Sequence, residues 1–277
     1  MTDLAAPRRQ TPIAIGDDLR RFWSLTLTLA VTEFKLRYFG SVLGYLWSLL
    51  RPLLLFGVLY IVFTNVVRFD DVKQYPVYLL SSIMLWTFFA EATGGCVTCL
   101  VDRENLLRKI RFPRMTIPLS VALTALFNLG MNLIALFVFM VLSGVDPQWT
   151  WLLAPVLVAS MFIFALGIGL GVSVLFVRYR DMRPIWDVVL QMGFYASPVI
   201  YAITTIPESA QRWVALNPVA VILTQWRHWI IDPDAPGIRE IHDGVLWTIL
   251  PVVLVIVVCV GGYRLFQRDT PRIAENL

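Results

Sequence analysis

The sequence predicts an all-α integral membrane protein. It should have six transmembrane helices, an N-terminal interfacial amphipathic helix, a short capped helix in the cytoplasm, and short outer re-entrant helices between spans five and six. Three observations predict this. Of 277 residues, 58% are apolar and only 15% charged, against roughly 25% charged in an average globular chain. The mean hydropathy is +0.71. Six apolar runs with at most one charge each also reach the roughly 20 residues that a helix needs to cross a bilayer. A soluble domain of this size lacks the interior to hide such a surface, which removes the secreted, disordered and soluble nucleic-acid-binding classes. Cys96, Cys99 and Cys259 all fall inside apolar stretches, so neither a disulfide framework nor a metal cluster is expected.

The elements follow in order along one membrane domain, 1–277. Residues 1–40 are a tail and an interfacial helix. The first 21 are polar, with Pro7, Pro12, Asp17 and Asp18, and lack the apolar core of a cleavable signal. Between Leu19 and Phe39 only Phe22 to Thr32 is uncharged, too short to cross. A helical wheel puts Trp23, Leu27, Ala30, Val31, Phe34 and Tyr38 on one stripe, opposite Arg21, Ser24, Thr28 and Lys35, as suits a helix lying in the interface. Spans one to five occupy 41–203, with apolar runs near 42–67, 76–101, 115–143, 150–177 and 184–203. The first run contains Arg51-Pro52; the arginine is near enough to the span's end to snorkel, and neighbouring helices can satisfy the backbone that the proline leaves open. Residues 204–243 form an outer loop, and 244–277 hold span six and a tail.

Charge gives the orientation. Of 23 Lys and Arg, seven lie at or before Arg51, five between spans two and three, three between four and five, and three after span six. The other side carries only Arg68, Lys73, Arg212, Arg227 and Arg239. The positive-inside rule places both termini in the cytoplasm. Trp149, Trp151, Trp213, Trp226, Trp229 and Trp247 then mark the outer boundary, and Trp23, Trp47 and Trp186 the inner one. The basic residues are a membrane margin, so no nucleic acid is expected as a partner.

Two loops look structured. In the cytoplasmic segment Asp102 to Arg114, Asp102 can cap a short helix, Glu104 suits its N-terminal dipole, and Arg108, Lys109 and Arg111 suit its C-terminal end before Pro113. Leu106, Leu107 and Ile110 then share one face, either as a plug for another protein's groove or within a basic turn on lipid headgroups. In the outer loop, Asn217-Pro218 starts a helix of about 14 residues with Val219, Ile222, Trp226 and Ile230 on one face. An earlier turn, Pro207 to Leu216, can pair with it. Neither is long enough to span.

Most enzyme chemistry lacks its parts. Cys96-Val-Thr-Cys99 has redox spacing but sits in a span, where thiols act as small packers. Gly167-Ile-Gly-Leu-Gly171 follows no strand and suits close helix contact. His228 and His242 have no nucleophile in a recognisable motif. Asp70-Asp71 resembles the paired carboxylates of membrane glycosyltransferases that use lipid-linked sugars, though such a pair in a polar turn is usually just solvated. Polar groups within spans, Glu91, Asn128, Asn132, Asp187 and Gln191, should face the protein interior because lipid makes them costly. Aromatics at helical spacing, among them Phe56, Tyr60, Tyr78, Trp86 and Phe89, suit either a sugar-lined path or ordinary bundle packing.

The run from Val31 to Pro52, VTEFKLRYFGSVLGYLWSLLRP, resembles the permease subunit of type-2 ABC exporters for lipid-linked polysaccharide, the O-antigen, teichoic acid and cell-wall glycan exporters. The basic loop after span two, Arg178-Tyr-Arg-Asp181, Ser197-Pro198 and Asn217-Pro218 extend the resemblance over nearly the whole chain. It implies a homodimer in the bacterial inner membrane, bound to two copies of a separate ATPase that holds ATP and Mg, with no cofactor in this chain and no catalytic residue. The 102–113 segment becomes a coupling helix: Asp102, Glu104, Leu106, Leu107, Arg108, Ile110 and Arg111, with Arg178 and Asp181, would contact the ATPase. Tyr60, Tyr78, Trp86, Phe89, Asp187 and Gln191 would line the path of a polyprenyl-pyrophosphate-linked glycan, and Asn217, Trp226 and Trp229 would form the outer gate. Arg51 departs from the neutral residue expected before the proline, and either holds a lipid phosphate or snorkels. The alternatives are export of a drug or small lipid, the glycosyltransferase using Asp70 and Asp71, and a membrane scaffold.

Overall fold

The computed structural model describes residues 15–38, 44, 46–64, 72–104, 113–241 and 245–276. Its helices are α1 (Ile15–Tyr38), α2 (Leu46–Val62), α3 (Tyr75–Asp102), α4 (Thr116–Leu142), α5 (Ala154–Arg178), α6 (Met182–Ala196), α7 (Glu208–Val214), α8 (Pro218–Trp226), α9 (Ile238–Ile241) and α10 (Val245–Asn276). Four stretches are long and apolar enough to cross a membrane: Tyr75–Asp102, Thr116–Leu142, Trp149–Arg178 and Trp247–Asp269. At 17 and 15 residues, α2 and α6 are shorter.

Helix α3 is the axis of the bundle. Most of its residues are apolar and buried, against α2, α4, α5, α6 and α8, while Thr87, Glu91, Gly94 and Thr98 make a partly exposed face. Helix α10, by contrast, leaves Ile249, Val252, Val253, Ile256 and Val257 exposed on the bundle's flank. It meets α5 where side chains vanish. A Cβ added at Gly262 would lie 2.0 Å from the Gly167 carbonyl oxygen, and one at Gly167 would lie 2.8 Å from the Cys259 Cα. Gly169 faces α3 instead, where an added Cβ would lie 2.9 Å from the Cys96 Sγ. The glycine run thus packs α5 on two neighbours at once.

Helix α1 begins earlier than periodicity suggests, and its stripe divides. Ala30 is fully buried and Phe34 and Tyr38 are half-buried against the bundle, whereas Trp23, Leu27 and Val31 remain exposed. The Thr124 hydroxyl donates to the Ala30 carbonyl at 3.2 Å, and Phe34 meets Phe127 edge-on. The helix is docked along α4 through Ala30, Phe34 and Tyr38, leaving Trp23, Leu27 and Val31 outward. Asp102 ends α3 and accepts from the Thr98 hydroxyl at 2.6 Å. Leu106, Leu107, Arg108, Ile110 and Arg111 lie outside the described residues, as do Asp70 and Asp71.

The outer segment folds into the bundle. Asn217 caps α8 by accepting from the Val219 amide at 3.0 Å, and α8 runs directly into a π-helical turn, Arg227–Ile231. Val219, Ile222, Trp226 and Ile230 are all buried, which is the face that the spacing predicts.

Candidate functional site

Between the C-terminal end of α1, the N-terminal end of α2 and the middle of α3 and α4 lies a cavity of about 530 Å³. The chain turns from α1 toward α2 through Gly44, whose φ of 47° suits glycine. This corner puts Arg37 and Tyr38 on one side of the cavity and Arg51 on another. Glu91 of α3, with Asn128 and Asn132 four residues apart on α4, completes the polar lining. The Arg37 guanidinium pairs with the Glu91 carboxylate. The Asn128 amide donates to Glu91 at 2.9 Å and accepts from the Tyr38 hydroxyl at 2.7 Å. A half-buried acid in the middle of an apolar helix is thereby paired with a cation from α1. Arg51 has no ion-pair partner among the described residues. Two cations and one anion leave the cavity a net positive charge, which suits an anionic guest.

Arg37 and Tyr38 were missed as site residues by sequence reading. The available signal was Glu91, since an intramembrane carboxylate calls for a cation and Arg37 stands at the end of a segment that cannot span.

At the C-terminal end of α3, Arg103 pairs with Glu33 and so ties α1 to that end of the helix. Burial lowers the Arg103 pKa from its usual range. Arg178 ends α5, its guanidinium 5.4 Å from the Tyr179 ring centroid, and Asp181 is exposed ahead of α6.

At the N-terminal end of α3, two tyrosines hold the break that follows α6. The Tyr75 hydroxyl donates to the Ile200 carbonyl at 2.9 Å. The Tyr78 hydroxyl faces the carbonyls of Pro198 and, at 3.0 Å, Tyr201. The Asn217 amide donates to the Ser197 hydroxyl at 2.8 Å, linking this break to the start of α8. Arg227 is buried with its guanidinium 5.7 Å from the Tyr78 ring centroid. Lys73 meets Asp234 at 3.1 Å and Asp232 at 3.5 Å, and the hydrogen bond to Asp234, then the charges of both acids, raise its pKa.

The six expected path residues are not all gathered together. Trp86 and Gln191 share a recess of about 280 Å³ between α2, α3 and α6. Tyr60 stacks on Phe56 with centroids 5.5 Å apart. Phe89 is buried and stacked on Phe164 at 5.7 Å, and Tyr78 is buried at the outer break. Asp187 is exposed on α6 and pairs with Arg183 one turn away at 3.3 Å. Of the expected gate residues, Asn217 is the cap and Trp226 is fully buried, while Trp229 lines a separate outer recess.

Known proteins fit this architecture. The family model described as "ABC-2 type transporter" matches residues 24–229. The O-antigen export system permease protein RfbA of Myxococcus xanthus is 32% identical over 228 residues, 80% of this chain and 87% of that protein. An RfbA permease of Klebsiella pneumoniae is 27% identical over 261 residues, 94% of this chain and 97% of the relative. With the match covering the helices that build both the inner cavity and the outer break, the chain belongs to the ABC-2 type transporter family of membrane proteins.

Proposed function

We propose that the chain is the permease of an O-antigen exporter, working as a homodimer of six-span subunits with cytoplasmic termini. Two copies of a separate ATPase drive it, and it carries a polyprenyl-pyrophosphate-linked polysaccharide outward across the bacterial inner membrane. The observation that carries this reading is the match to O-antigen export permeases over nearly the full length of both chains. The cavity supports it, because its net positive lining suits a pyrophosphate. In this reading Leu106, Leu107 and Ile110 dock the ATPase, aided by Asp102, Glu104, Arg108, Arg111, Arg178 and Asp181. The exposed apolar faces of α2 and α6, with Leu54, Val58, Val188 and Met192, meet the second copy or lipid.

Loss of the chain should leave lipid-linked polymer inside the cell and none on its surface; unchanged surface O-antigen would overturn the reading. Arg51 tests the entrance. A guanidinium can clamp phosphate oxygens through two parallel hydrogen bonds, whereas lysine supplies a point charge. In the purified complex, Arg51→Lys should keep basal ATPase activity but weaken stimulation by lipid-linked substrate, on the order of tenfold in apparent affinity. Unchanged stimulation and export in Arg51→Gln would reduce Arg51 to a snorkelling residue.

A further inference from the structure

A second recess, of about 690 Å³, lies on the flank of the bundle at its outer end, enclosed by α5, α8 with its π-helical turn, and α10. That volume falls within the roughly 300 to 1,000 Å³ of small-molecule sites. Its lining divides along the bundle axis. Leu157 and Ile163 of α5, and Val252 and Val255 of α10, are apolar and reach about ten residues into their helices, roughly 15 Å. Gln225, His228, Arg239 and Glu240 form the polar end. Ile163 and Val252 are more than half exposed, so the recess is open sideways, where lipid would lie.

The polar end is fixed by its own backbone bonds. The His228 Nδ1 donates to the Ala235 carbonyl at 2.6 Å, which leaves Nε2 as the uncommitted ring nitrogen. The Gln225 side-chain oxygen accepts from the Ile238 amide at 3.4 Å, leaving its NH₂ to donate. Arg239 and Glu240 are adjacent and exposed, and neither has an ion-pair partner among the described residues. π-helical turns occur often where a helix serves a ligand.

We propose that this recess binds a zwitterionic phospholipid, its phosphate at Arg239 and Gln225, its ammonium at Glu240, and one acyl chain between α5 and α10. A cation beside an anion is complementary to a headgroup that carries both. A purely anionic headgroup, including a polyprenyl pyrophosphate, would satisfy Arg239 but set its charge beside Glu240. The lateral opening admits a chain directly from the bilayer. This site is independent of which polymer is exported.

The test uses the full-length permease with its ATPase in nanodiscs containing trace phosphatidylethanolamine with a photoreactive acyl chain. Labelled peptides should map to 157–163 and 252–255. Unlabelled phosphatidylethanolamine should compete better than phosphatidylglycerol, by roughly fivefold to tenfold. Glu240→Arg should reverse that preference, and Val252→Trp should remove the label from the recess while leaving it elsewhere on the lipid-facing belt. Equal competition by the two lipids, unaltered by Glu240→Arg, would overturn the proposal; this comparison needs no filled recess and decides even where Val252→Trp fails to insert. Cross-linking of Val252→Cys to a second copy of the chain, with native cysteines replaced by alanine, would also overturn it, by showing that protein covers the recess.

Discussion

A phenolic hydroxyl at bilayer depth is costly unless it finds an acceptor, and irregular backbone there is costly unless it finds a donor. Tyr78 answers both needs with one hydrogen, directed at the carbonyls of Pro198 and Tyr201. Its place in an aromatic stripe was legible from spacing. Its partners were not, because they lie about 120 residues away, in a stretch that reads as the end of an apolar span. Tyr78→Phe keeps the ring under Arg227 but leaves the break without that donor. It should lower the stability of the purified permease by about 1 to 3 kcal/mol, read as a lower midpoint in thermal unfolding. Tyr60→Phe, on a half-buried residue whose hydroxyl has no hydrogen-bond partner among the described residues, should change it by less than about 0.5 kcal/mol.

Between elements, glycine carries the most readable signal. Gly167, Gly169 and Gly171 read as a packing surface in the sequence, and helix contact is what they make. The partner helix was not readable, since spacing on one helix says nothing about which other helix approaches it. The contact explains how α10 can stay so exposed yet be held against α5. Two adjacent glycines separate packing from propensity. Gly262→Ala drives a methyl into the Gly167 carbonyl, so α5 and α10 must part, at a cost of about 1 to 3 kcal/mol. Gly261 has nothing within 4 Å of an added Cβ, so Gly261→Ala should be neutral or stabilise by up to about 1 kcal/mol through helix propensity. Thermal unfolding of the two variants side by side checks the contrast, and equal midpoints would refute the close contact.

For the molecule as a whole, hydropathy located the helices well because lipid leaves few alternatives to them. The inner cavity was only half legible. Glu91, Asn128 and Arg51 stood out as polar groups in spans, but the docking of α1 on α4 that delivers Arg37 and Tyr38 is a contact between segments about 90 residues apart, which spacing within α1 does not reveal. In the assembled transporter, Leu107→Asp should place an unpaired charge at the ATPase contact and release the ATPase while the permease still inserts. Co-purification checks this, and full retention of the ATPase would favour a lipid-facing loop. The 28 residues of α3 make a rod of about 42 Å. Its outer end holds the Pro198 to Tyr201 backbone, and its inner end is tied through Arg103 to Glu33 of α1. A tilt of about 5° around its midpoint would shift each end by roughly 2 Å. The two shifts are opposite in sense, as on a seesaw, so a push on the Arg103 end reaches the Pro198 to Tyr201 backbone as a pull in the reverse direction.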